Sequence, residues 1–148
     1  MILAIDPGTT HSGVVVWDGR SVIHFQAEYE NSALLAALRA GTLQFDRIAV
    51  EWIQAMGMPV GQEVFLTCRF IGRIEEVMAA QGRQVEYITR PTVKTRLCGT
   101  PRAKDPNVRQ SLLDRLGPVG TKKAPGPLFG VSSHAWSALA VAIAIDIK

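Results

Sequence analysis

Within its first thirty residues the chain carries three β-rich runs, MILAID, GVVVWD and SVIHFQAEY, with little but turn residues between them. Asp18-Gly19-Arg20 separates the second and third, and Asp-Gly between two such runs is a strong hairpin signal. Links this short suit antiparallel neighbours, because a parallel pair needs a long crossover. The pattern then changes. NSALLAALRAG reads as a helix, with Asn31 or Ser32 as cap, a Leu/Ala stripe and Gly41 at the exit. RIAVEWI is a second buried strand of the same kind as MILAID. From about Gly61 to Gln81 the apolar residues Val64, Phe65, Cys68, Ile71, Ile74, Val77 and Met78 recur at helical spacing. VEYIT is a fifth strand, and a short helix follows Pro91. DPNVRQSLLDRLG predicts another helix, with Asp105 as N-cap, Pro106 in the first turn and Gly117 at the end. A Gly/Pro loop, GPVGTKKAPGPLFG, leads to a last helix from about Ser133 to Asp146, capped by Ser132 or Ser133. A meander followed by strands alternating with helices predicts an α/β fold. Its five-stranded mixed sheet has three antiparallel strands, then two parallel ones, flanked by helices.

At 148 residues, with 47% hydrophobic and 20% charged side chains, the chain is expected to form a single domain over residues 1–148 and not a disordered segment. The net charge of +3 is compatible with a polyanionic partner. Cys68 and Cys98 form no CxxC pair, which favours free thiols in a reducing compartment. The N-terminal apolar stretch has no basic residues ahead of it and is broken by Asp6, so it does not read as a signal peptide. SALAVAIAI is too short to span a bilayer and is expected to be a core helix. A cytoplasmic location follows.

The residues that could carry chemistry sit at the ends of these elements. Asp6 closes the first strand and opens the turn Pro7-Gly8-Thr9-Thr10; Glu51 lies near the end of the fourth strand in an otherwise apolar run. Asp and Pro make turns without any chemistry, and a strand-end Glu can simply pair with an arginine. If the two strands are parallel neighbours, however, both carboxylates emerge at one edge. A divalent cation would then relieve their repulsion, and hard oxygen ligands favour magnesium or manganese. His134 and Ser137, one turn apart, are the polar side chains early on a last helix that is otherwise apolar.

Taken in order, AIDPGTTHSG, AVEW, MPVGQEVF, LCGTPRAKDPNVRQSLLDRLG and GTKKAPGPLFGVSSHAWSALAVA resemble the RuvC branch of the ribonuclease H-like nucleases. This branch resolves Holliday junctions, and the resemblance is to its phage-encoded members and covers nearly the whole chain. It implies a ribonuclease H-like fold and a metal-dependent endonuclease. Such an enzyme would cut four-way junctions, or other branched DNA such as forks and flaps, by paired nicks that leave 5′ phosphates. Mg2+ is the implied cofactor, with Mn2+ as a substitute, and two ions would sit roughly 4 Å apart at the scissile phosphate. A homodimer is implied, with an interface sought on the helix from Gly61 around Val64, Phe65, Cys68 and Ile71. So is a bacterial or phage-infected host cell.

The family site has four positions. Asp6 and Glu51 match the first two. His134 falls on the third, where the family has Asp or, in some members, His; neutral imidazole can ligate a metal. Ser137 falls on the possible fourth, where many members have Asp. Three groups plus water, another acid in its place, or weak activity are each compatible with a serine there. Lys104 is a candidate catalytic residue at the edge of the site, by analogy with family lysines. Arg90, Lys94, Arg96, Arg102, Lys104 and Arg109, with Lys122 and Lys123 in the later loop, are candidates for tracking DNA phosphates. Two other functions compete. One is a branched-DNA-binding protein of the same fold with a degenerate, non-catalytic site. The other is the actin-like ATPase and sugar kinase class, whose first phosphate turn is also Asp-x-Gly-Thr-Thr but which needs two such domains, too many for this length.

Overall fold

The five strands form one sheet in the order β3-β2-β1-β4-β5. In the computed structural model, which describes residues 1–147, these are β1 (Ile2–Asp6), β2 (His11–Trp17), β3 (Val22–Glu30), β4 (Arg47–Trp52) and β5 (Val85–Thr89). β1, β2 and β3 pair antiparallel, and β4 and β5 add parallel to β1. The mixed sheet expected from the connection lengths is therefore the observed one.

The period of two along each strand sorts its side chains between two cores. Leu3, Ile5, Val14, Val16, Ile48 and Val50 face α1 (Asn31–Ala40) and α2 (Gln62–Ala80). Ile2, Ala4, Val15, Trp17 and Ala49 face the other way, toward α5 (His134–Asp146). This second face is flanked by α3 (Arg90–Cys98) and α4 (Asp105–Leu116). α5 is apolar nearly all round and buried from Ala138 through Ala144. Ala4 and Ala49 on the sheet and alanines along α5 let the helix lie close across the strands. Among the described residues, no helix is long and apolar enough to cross a membrane.

The helix ends depart from expectation in ways that matter. Glu30, and neither Asn31 nor Ser32, caps α1; its carboxylate accepts from the backbone N–H groups of Ser32 and Ala33. Lys104 is the N-cap of α4, which makes Asp105 the first helical residue and frees its carboxylate from capping. α3 begins at Arg90, with the Thr89 hydroxyl accepting from the Thr92 N–H. Ser133 occupies the cap of α5 without any side-chain cap bond, at φ 45°. On α2, Ile71 is fully in the core and Cys68 is exposed. Cys68 is thus not a core residue, and Ile71 is not open to a partner.

Candidate active site

The turn after β1 is built from a buried polar network. The Ser12 hydroxyl donates to Asn31 Oδ1 at 2.7 Å, Asn31 Nδ2 donates to the Gly8 carbonyl at 2.9 Å, and the Gly8 N–H donates to Ser12 Oγ at 3.2 Å. The Asn31 N–H also reaches the Thr10 carbonyl at 2.8 Å. Gly8 is required because a Cβ there would lie 2.1 Å from the His11 carbonyl oxygen. The network closes on itself and so satisfies its buried members, which fixes the turn and with it the end of β1.

Parallel pairing then sets the two acids side by side. Ile5 is opposite Val50, so Asp6 and Glu51 each follow one residue later on adjacent strands. Both share the face of Ala4 and Ala49, which is the α5 face. His134 arrives at that face because Gly13, opposite Asp6 on β2, has no side chain. A Cβ on Gly13 would lie 2.2 Å from the His134 carbonyl oxygen. The helix start thereby comes close enough for His134 Nδ1 to sit 3.1 Å from Asp6 Oδ2. An ionised carboxylate only accepts, so in that state Nδ1 carries the hydrogen and Nε2 is left as a lone-pair donor.

Burial dominates the electrostatics. It raises the Asp6 carboxyl above the usual range, against the hydrogen bond and charge of His134 and the charge of Arg90. Glu51 is pushed up to about 7, by burial first and then by the Asp6 charge, while Arg90 opposes both. Two carboxylates made basic by burial, and in Glu51 also by the Asp6 charge, are a donor set that a cation would relieve.

The cation already at the site is Arg90. Its Nη1 lies 3.4 Å from Glu51 Oε2 and its Nη2 lies 2.5 Å from Asp105 Oδ1. The sequence reading makes Asp105 a helix cap, and nothing in its spacing signals its place in this cluster. Among the described residues, no three Asp, Glu, His or Cys side chains stand close enough to enclose a metal ion as placed. The donor chemistry of Asp6, Glu51 and His134 nonetheless suits a hard divalent ion completed by water.

The other residues named from the sequence divide. Ser137 faces a cavity of about 500 Å³ that it shares with Arg90, Asp105, Arg109 and Trp136. Arg109 stacks over the Trp136 ring at 4.7 Å. Lys94 lines a second cavity, of about 310 Å³, together with Glu51 and Arg90. Arg102, Lys104, Lys122 and Lys123 are exposed. Arg96 donates to the Ala144 carbonyl at 2.8 Å, near the far end of α5 from His134, and ties α3 to α5.

No family model matches the sequence. No curated protein matches it either. Solved structures do. The chain is similar to a structure of Thermus thermophilus RuvC at 22% identity, with a TM-score of 0.68, over 99% of this chain and 93% of that one. It is equally similar to T. thermophilus RuvC in complex with a Holliday junction substrate, at 22% identity and a TM-score of 0.69, over 99% and 92% of the two chains. At this identity the likeness establishes the fold, which is the ribonuclease H-like fold of RuvC.

Proposed function

We propose that the chain is a metal-dependent, structure-specific DNA endonuclease that resolves Holliday junctions or related branched DNA. One observation carries this reading: Asp6, Glu51 and His134, taken from three separate elements, converge on one face at the carboxyl ends of β1 and β4. The fold shared with a protein solved on a junction substrate supports the choice of DNA. Asp6, Glu51 and His134 would hold Mg2+, with Mn2+ able to substitute. The bound ion would supply Lewis acidity and an activated water for phosphodiester hydrolysis.

The chain's own residues do the rest. Asp6 orients the imidazole through Nδ1, which leaves the Nε2 lone pair, at the exposed side of His134, as the atom that would face the ion. Burial makes the ionised forms of Asp6 and Glu51 costly, and a bound cation would offset that cost. Lys104, at the exposed start of α4, would border the site. Lys94, Arg102, Arg109, Lys122 and Lys123 would bind phosphates, and Arg90 joins them only after leaving its carboxylate partners. Ser137 is uncharged, so it contributes no strong ligand, and three protein groups plus water suffice. Cleavage would produce paired nicks with 5′ phosphates from a homodimer. Trp52, Met56, Met58, Val60 and Phe65 form exposed apolar surface on the β4–α2 connection and the start of α2, which suits a second copy. A single nuclease domain of the phage-type branch, acting in the cytoplasm of a bacterial or infected cell, completes the reading.

The test compares end-labelled four-way junctions, forks, flaps and linear duplex, each with Mg2+, with Mn2+ and with EDTA. The expected result is metal-dependent nicking of the four-way junction at opposed positions, with linear duplex untouched. Ser137 supports a second reading, a junction-binding protein with a retired site. Tight junction binding without nicking in either metal would favour it.

A further inference from the structure

We propose that Arg90 is a tethered counter-ion, which holds the carboxylate cluster in the cation-free protein and must leave Glu51 before a divalent ion can seat there. The inference deepens the nuclease reading and rests on it. Arg90 is the first residue of α3, and its backbone is fixed by the Thr89 cap beneath it. From there its side chain reaches back across the ends of β5 and β4. One guanidinium spans two acids from different elements, Glu51 on β4 and Asp105 on α4, and it also lowers the proton affinity of Asp6. Its side chain is only 25% exposed, whereas a free phosphate-gripping arginine would stand in solvent. In this state both of its terminal nitrogens face carboxylates.

The two contacts are unequal. The bond to Asp105 is short and the bond to Glu51 is long, so the arginine is anchored at Asp105 and held loosely at Glu51. Space for the movement exists, since Arg90 borders the cavities of about 500 Å³ and about 310 Å³ on either side of it. A turn of the side chain into the larger one, which Asp105 lines and Glu51 does not, would carry it away from Glu51. A metal ion and a guanidinium cannot share the same carboxylate oxygens at full strength. The cation affinity of the site is thus reduced by the fraction of molecules in which Arg90 is seated. A displaced Arg90 remains on the face where a substrate phosphate would lie, and its fork geometry suits a phosphate.

The test measures Mg2+ binding by calorimetry without DNA, at about pH 9, above the value of about 7 to which the Glu51 carboxyl is pushed. Arg90→Gln should bind Mg2+ about tenfold more tightly than the wild type. Arg90→Lys should fall between them, because a lysine cannot bridge both acids. Lys94→Gln removes a neighbouring positive charge that forms no ion pair among the described residues, and it should change binding by no more than about twofold. Asp105→Asn loosens the anchor and should bind Mg2+ at least as tightly as the wild type. Equal effects of Arg90→Gln and Lys94→Gln would overturn the proposal. So would weaker binding by Asp105→Asn, which would make Asp105 a ligand. If the wild type nicks junctions with Mg2+ while either of those results holds, the counter-ion proposal fails alone. If the wild type neither binds Mg2+ nor nicks junctions, the nuclease reading fails and this proposal falls with it.

Discussion

Glu51 carries the largest consequence at the scale of a single residue. Its carboxyl titrates near 7 in the folded chain against 4.5 in the ordinary glutamate, so the folded state binds the proton more tightly than the unfolded one. The stabilising effect of that proton is complete below about pH 4.5 and is lost as pH rises through about 7. Across this window the cation-free protein should lose about 3 kcal/mol, with Asp6 acting in the same direction. Urea unfolding in EDTA at about pH 5 and about pH 8 reads the loss directly. Glu51→Gln should flatten it, and Mg2+ at the higher pH should restore stability to the wild type. Asn31 is the second residue of note. Asn31→Leu should cost about 2–3 kcal/mol, because Ser12 Oγ and the Gly8 carbonyl lose their buried partner. Its junction cleavage should fall further than the stability loss explains, since the turn that fixes Asp6 loosens. Asp6 and Glu51 were legible in the sequence because a strand that ends on an acid stands out. Asn31 was not, because Asn at a helix start has a more common use as a cap, and Glu30 had silently taken that use.

At the scale of elements, the approach of α5 to β2 decides whether the site exists. Gly13 is the point of contact, and Gly13→Ala should push the start of α5 off the sheet. Overpacking of this kind costs about 1–3 kcal/mol. Because His134 sits at the contact itself, cleavage should drop by more than tenfold even where the protein remains folded, which parallel unfolding and cleavage assays will separate. One residue earlier, Ser133 holds φ 45° and ψ −128°, a conformation that favours glycine. Ser133→Gly should stabilise the protein by about 1 kcal/mol in urea unfolding, if the geometry of α5 is retained. The helices and strands themselves were readable from periodicity. The caps lie one or two residues earlier than expected at α1 and one earlier at α4, and the step at α4 hid Asp105: a capping acid turns inward to its own helix, whereas the first helical residue can turn outward to Arg90.

At the scale of the whole molecule, the order of connections was enough to give the sheet. Three strands on short links must run antiparallel, and strands separated by helices add parallel. This topology alone brings Asp6 and Glu51 to one edge. What the order of elements could not show was the packing of cations against that edge, because Arg90 looks the same in sequence whether it faces a phosphate or two carboxylates. The central claim is that the convergence of Asp6, Glu51 and His134 is catalytic and not merely a fold shared with nucleases. The most direct measurement follows binding and nicking of a labelled four-way junction in the same Mg2+-containing tubes, for the wild type and Asp6→Asn. Paired nicks by the wild type, lost in Asp6→Asn while junction binding persists, are the predicted result. Junction binding by both proteins with nicking by neither would contradict the claim.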